Sequence, residues 1–262
     1  IVPLADIPEG KDLLAQLCHH PDLAIRINAA FALLKHRDPR CRDALLEMLV
    51  RDVRDLGLQP QMSMGKTMLA LKPVFSAAQQ ANSLFDIRAA TLAIRQQILL
   101  DCMHLSEDEF LRMAELIFES KQSDLIPTLV ILLENLQTPK AVDLLIRKAE
   151  QAGMPLIRAY CNLALFRMRQ EGPYEKHLNE WITRHKDSEM IRFRPLVPLD
   201  QRITSSPHEL TPEDSSRLLI ESYQTLSEKQ QDSSIEVLLG TIRDGNPKNR
   251  YVLAGLLLRT LQ

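Results

Sequence analysis

Four stretches of this chain carry one short helical pattern, and that recurrence constrains the fold more than any other feature. Arg26 is followed by Ala29, Ala30, Ala32 and Leu33. Arg158 is followed at the same offsets by Cys161, Asn162, Ala164 and Leu165, and Arg250 by Leu253, Ala254, Leu256 and Leu257. A looser copy begins at Arg88, with Thr91, Leu92 and Ile94. Ile25, Ile87 or Ile157 precedes the arginine in three copies, and Asn249 in the last. Small and apolar residues at these spacings let one helix pack closely against neighbours on two sides. A helix of that kind, repeated along a chain, predicts stacked helical repeats.

Composition agrees with that reading. The 262 residues can bury a sizeable interior, with 45% hydrophobic and 25% charged residues. Aromatics are only 5%, so Leu, Ala and Ile carry the apolar content, which suits helix-on-helix packing better than a β-sandwich. A formal net charge of −2 supplies no global field for nucleic acid or an anionic membrane. No apolar run is long enough to span a bilayer, and the opening Ile1-Val2-Pro3-Leu4 lacks the basic start of a signal peptide. Both ends have the look of cuts within a longer chain. The cysteines, Cys18, Cys41, Cys102 and Cys161, are widely spaced within helical patterns. They are expected to be buried, reduced thiols of a cytoplasmic protein, not disulfides or metal ligands.

Periodicity and punctuation place the helices. The signals predict helices over 9–20, 21–35 and 41–55, a loop over 56–65, and helices over 66–81 and 84–101. Ser106 followed by Glu107, Asp108 and Glu109 is a strong start, a hydroxyl cap with acids in the first turn. Further helices are expected from Ser123 with Pro127 in the first turn, from Thr138-Pro139, from Pro155 and from Tyr174. Regularity fails over 191–211, where Pro195, Pro198 and Pro207 fall, and three more helices follow from Pro212. No stretch reads as an alternating strand. Domain organisation is therefore expected as helical repeats over 1–190, an irregular loop or linker over 191–211, and a further repeat segment over 212–262.

Asp22, Ile25, Arg26, Ala29, Ala30, Ala32 and Leu33 together resemble the second helix of HEAT repeats, in particular the short bacterial-type variety. In the other copies Leu84, Met154 and Asn246 stand at the Asp position. The resemblance implies an all-α fold, an α-α superhelix or HEAT-like solenoid of stacked antiparallel helix pairs. It implies linkage of neighbouring repeats by the Asp and Arg, and a protein or peptide partner on the solenoid surface. It also brings in two enzymatic alternatives on such a frame, bilin chromophore lyases and helical-repeat DNA glycosylases.

Candidate chemistry is sparse. Gly65-Lys66-Thr67 matches the end of a P-loop, but Pro60 occupies the position of the required earlier glycine and a helix, not a strand, precedes it. Gly65 is expected instead to start a helix. His177, Trp181 and His185 share one helical face, but the histidines are eight residues apart, about 12 Å by helical rise, too far for one metal. Trp181 reads as a packing residue. Arg192, Phe193 and Arg194, near Arg184 and Lys186, form a basic and aromatic segment. Together with Trp181 they are the candidate contacts for an acidic protein partner. The expectation is a non-enzymatic scaffold or adaptor with no catalytic residue, metal or cofactor.

Overall fold

The computed structural model describes residues 6–51, 59–63, 66–70, 92, 94–120, 123–187, 212–229 and 232–260. They form two compact units, Ile1–Leu132 and Leu133–Gln262. In the first lie α1 (Pro8–Leu17), α2 (Leu23–Lys35), α3 (Arg42–Val50), the helical segment α4 (94–102) and α5 (Glu107–Glu119). The helix α6 (Ile126–Leu136) runs across the division. In the second lie α7 (Pro139–Gln151), α8 (Pro155–Arg167), α9 (Tyr174–His185), α10 (Pro212–Lys229), α11 (Asp232–Asp244) and α12 (Arg250–Thr260).

The packed body is all-helical, as the periodicity predicts. One local departure occurs at 59–70, where β1 (Gln59–Ser63) pairs antiparallel with β2 (Lys66–Ala70), Met62 opposite Thr67. The expected loop is thus partly strand, and the helix predicted from 66 is a strand through Ala70. Lys66, Met68, Leu69 and Ala70 are good helix formers, and Gln59-Pro60-Gln61 has little strand propensity, so the local sequence points the wrong way. Pro60 is tolerated because both strands of a two-stranded ribbon are edges.

Helix starts follow the capping residues. The Asp22 carboxylate accepts from the amides of Ala24 and Ile25, Ser106 Oγ from Glu109, and Thr138 Oγ1 from Ala141. In the first unit Arg26 fixes α2 against α3. Its guanidinium holds both carboxylate oxygens of Glu47, at 2.7 and 3.0 Å, and donates to the carbonyls of His20 and Pro21. The Asp22–Arg26 pair of the motif therefore acts structurally here: one residue caps the helix and the other joins it to its neighbour. Ala29, Ala30, Ala32 and Leu33 are fully buried.

The second unit repeats this local plan at α8. Leu156, Ile157 and every residue from Ala159 to Leu165 are buried, so the helix has neighbours on more than one side, among them α7, α9 and α10. Both motif helices also end identically. Eleven residues after the motif arginine, Arg37 and Arg169 take left-handed backbone, φ 56° and 57°. The amides of Asp38 and Gln170 then reach back to the carbonyls of Leu33 and Leu165, at 3.1 and 3.0 Å. This satisfies carbonyls that the end of the helix would otherwise leave without partners. The recurrence noted in the sequence thus extends beyond the helix into its closing turn.

Asn246, at the motif's Asp position in the last copy, joins helix ends within the second unit. Its amide donates to Lys186 O (3.0 Å) and its Nδ2 to Asp187 O (3.2 Å), while its Oδ1 accepts from Lys248 N. Gly245 makes this approach possible, since a Cβ there would lie 2.4 Å from Thr241 O and 2.8 Å from Lys186 O. Gly245→Ala is expected to destabilise the protein by about 2 kcal/mol through backbone displacement and loss of the Asn246–Lys186 bond. Urea unfolding measures it, and an unchanged midpoint would show that the approach is not needed.

Candidate functional site

An open concavity lies along α9, beside a hydrogen-bond network that joins this helix to α11. Tyr174, Leu178, Trp181 and Ile182 recur at helical spacing and are buried. The remaining faces put Glu175, Lys176, Asn179, Glu180, Thr183 and Arg184 along an open groove of about 710 Å³. From α11, Ser234 Oγ donates to Glu175 Oε1 at 2.8 Å, and Asn179 Nδ2 donates to Ser234 Oγ at 3.4 Å. That chain of bonds ties α9 to α11. The rim is mixed in sign, with Lys176 and Glu180 3.9 Å apart.

Trp181 is 9% exposed and belongs to the packed face. The His185 ring stacks on it at 3.9 Å, and His185 Nδ1 lies 2.9 Å from Trp181 O. His177 is engaged differently: its Nδ1 lies 2.9 Å from Asn162 Oδ1. Asn162 Nδ2 already donates to Arg158 O, so its Oδ1 is the acceptor and His177 carries the proton on Nδ1. Among the described residues, no group of three or more His, Cys, Asp or Glu is placed to hold a metal ion. Arg192, Phe193 and Arg194, with the rest of 191–211, lie outside the described residues. Lys66 and Thr67 sit in β2, whereas a P-loop needs these residues at the start of a helix.

Sequence spacing gave no sign of two further clusters. Arg167 on α8 lies between Glu134 of α6 (3.4 Å) and Glu221 of α10 (3.3 Å), and its Nε donates to Thr225 Oγ1 at 3.4 Å. The carboxylates are 33 and 54 residues away in the chain, so no local motif could announce them. Burial pushes the Glu134 carboxyl above its ordinary range, and the Glu221 charge adds to this while Arg167 opposes it. In the first unit, Cys41 lies close enough to Cys18 and to Cys102 for the thiols to interact electrostatically. Burial raises the Cys41 and Cys102 thiols to about 12, and Cys18 and Cys161 move the same way. These are poor nucleophiles at neutral pH.

No protein-family model, curated protein or solved structure matches this chain.

Because the folded state raises the Glu134 pKa, it binds that proton more tightly than the unfolded chain. The resulting stabilisation is complete below the ordinary carboxylate value of about 4.3 and is lost as pH rises through the folded value. Glu134→Gln should therefore gain on the wild type as pH rises above the ordinary carboxylate value of about 4.3, in paired urea titrations. A difference independent of pH would remove burial as the cause. A thiol reagent at about pH 8 should label none of the four cysteines in the folded protein and all four in guanidinium. Rapid native labelling would contradict their burial.

Proposed function

We propose that this chain is a non-enzymatic scaffold or adaptor, its helical hairpins stacking as a HEAT-like α-solenoid that docks a protein or peptide partner. The groove along α9 carries this reading. It is open, it is lined largely by one helix, and it offers carboxylates, cations, an amide and a hydroxyl in alternation. Such a surface suits distributed contacts along a polypeptide better than enclosure of a small molecule. The shared turn that closes α2 and α8 supports the repeat architecture. The segment with Arg192, Phe193 and Arg194 belongs to the same proposal by its charge and its single aromatic.

An enzyme on the same frame, a bilin lyase or a DNA glycosylase, needs an acid or nucleophile presented to a substrate cavity. Glu134 is a half-buried acid, but its carboxylate is engaged by Arg167 in helix packing. Cys161, on the motif helix, is fully buried. The scaffold reading is the better supported of the two.

The full chain used as bait should retain a protein that cross-links to Lys176. The double variant Glu180→Lys/Arg184→Glu should lower that retention at least about ten-fold, because both side chains are on the groove rim. Arg192→Glu/Arg194→Glu tests the adjoining segment in the same assay. Absorbance change with a bilin, or release of a base from damaged duplex, would replace the scaffold with an enzyme.

A further inference from the structure

The motif helix occurs in α8 and α12, and the two can be compared position by position. One, two and five residues after the motif arginine, α8 has Ala159, Tyr160 and Leu163, which are 6%, 3% and 0% exposed. The same offsets in α12 hold Tyr251, Val252 and Gly255. Tyr251 is 91% exposed, Val252 40%, and Gly255 is also exposed. Leu258, one turn further on, is 64% exposed. Positions 251, 252, 255 and 258 follow helical spacing and share one face, about 10 Å long. Leu253 faces the other way and is buried.

This face has shape as well as apolar area. A Cβ on Gly255 would meet nothing within 4 Å, so the glycine leaves an open notch between Tyr251 and Leu258. The stretch of chain that carries it is basic. Residues 247–262 include Lys248, Arg250 and Arg259 and no acidic residue. Lys248 and Arg250 are exposed, and Arg250 is held at the end of α11 by donating to Arg243 O at 3.0 Å. Asp244, the acidic residue just before this stretch, is itself paired with Arg243 at 3.0 and 3.1 Å.

We propose that Tyr251, Val252, Gly255 and Leu258 are a docking face for an amphipathic helix of a partner protein, one whose apolar stripe is flanked by carboxylates. The inference rests on the scaffold reading and names a surface and a partner class for it. The matching positions of α8 are buried in a helix that packs against other helices, α7, α9 and α10 among them, whereas in α2 Ile27 and Phe31 are half-buried and Asn28 is exposed. The basic rim selects acidic flanks. A second copy of the chain fits less well, since it would set the exposed Lys248 and Arg250 of one copy beside a face with the same basic flank. An anionic membrane would accept a basic rim, but three large apolar side chains over about 10 Å make a small insertion face.

Fluorescence anisotropy with labelled peptides of about 18 residues tests this, one with a leucine stripe and glutamate flanks and its counterpart with lysine flanks. The glutamate peptide should bind, and its affinity should fall as salt rises from about 50 to about 300 mM. Tyr251→Ser/Leu258→Ser should weaken it at least about ten-fold, with circular dichroism and urea midpoint reporting that the variant is folded. Gly255→Gln, which fills the notch and favours the helix, should weaken it independently. Equal affinity for the two peptides, or affinity unchanged in both variants, overturns the proposal. Sedimentation as a dimer that Tyr251→Ser/Leu258→Ser dissociates would assign the face to a second copy. Loss of binding to phosphatidylserine vesicles in that variant would assign it to a membrane. Undiminished capture of a partner by the variant would sink this face and leave the scaffold standing, whereas no partner for the wild type would sink the scaffold.

Discussion

Burial of a single helix on more than one side is the constraint from which the second unit follows. Nine of the thirteen residues of α8 are buried, among them Ala159, Cys161 and Ala164, whose small side chains allow close approach. A helix so enclosed leaves few positions where a polar side chain can reach water. Asn162 shows the consequence: its amide must be satisfied internally, and it is, by Arg158 O on one side and His177 on the other. An Asn there without partners would cost about 1–3 kcal/mol. In α2 the same offset holds Ala30, which raises no such demand.

Several ion pairs among the described residues join one helix to another. Arg26 with Glu47, Arg42 with Glu109, and Arg167 with Glu134 and Glu221 join elements distant in sequence at partly shielded sites. Arg95 goes further, since it is 3% exposed and donates to the carbonyls of Met48 and Arg51 at the end of α3. A cation at that end meets both the unpaired carbonyls and the negative pole of the helix. Exposed pairs such as Arg243 with Asp244 contribute little by comparison.

What the sequence made legible was local. Asp22, Ser106 and Thr138 mark helix starts because a cap needs only its own next few residues. The hairpin at 59–70 was illegible for the same reason, its residues favouring helix or loop while cross-strand pairing decides the outcome. The closing turns at Arg37 and Arg169 were hidden too, since arginine carries no signal for left-handed backbone and Gly or Asn would have. Arg167 between its two glutamates, the Cys18–Cys41–Cys102 neighbourhood and the Ser234–Glu175 bond all join helices far apart in the chain. For the groove, the α9 face follows from helical period, whereas its tie to α11 through Ser234 does not.

The motif arginine is the residue that first exposes the repeat, yet its three described copies differ in what they do. Arg26 is 15% exposed and binds Glu47 and two carbonyls, Arg158 is exposed, and Arg250 reaches Arg243 O. A long guanidinium on a flexible stem takes whichever acceptors the adjoining turn supplies, so its position can recur without its partner recurring. The first apolar offset has no such freedom. Ala29, Cys161 and Leu253, each three residues after the arginine, are all buried, because moving an apolar stripe by one residue turns it about 100° away from its neighbour. Recurrence of the motif is therefore carried by a packing position and, in two copies, by the turn that ends the helix. Where packing stops short, as at Tyr251 and Leu258 on α12, the same rule marks a face still able to accept a helix.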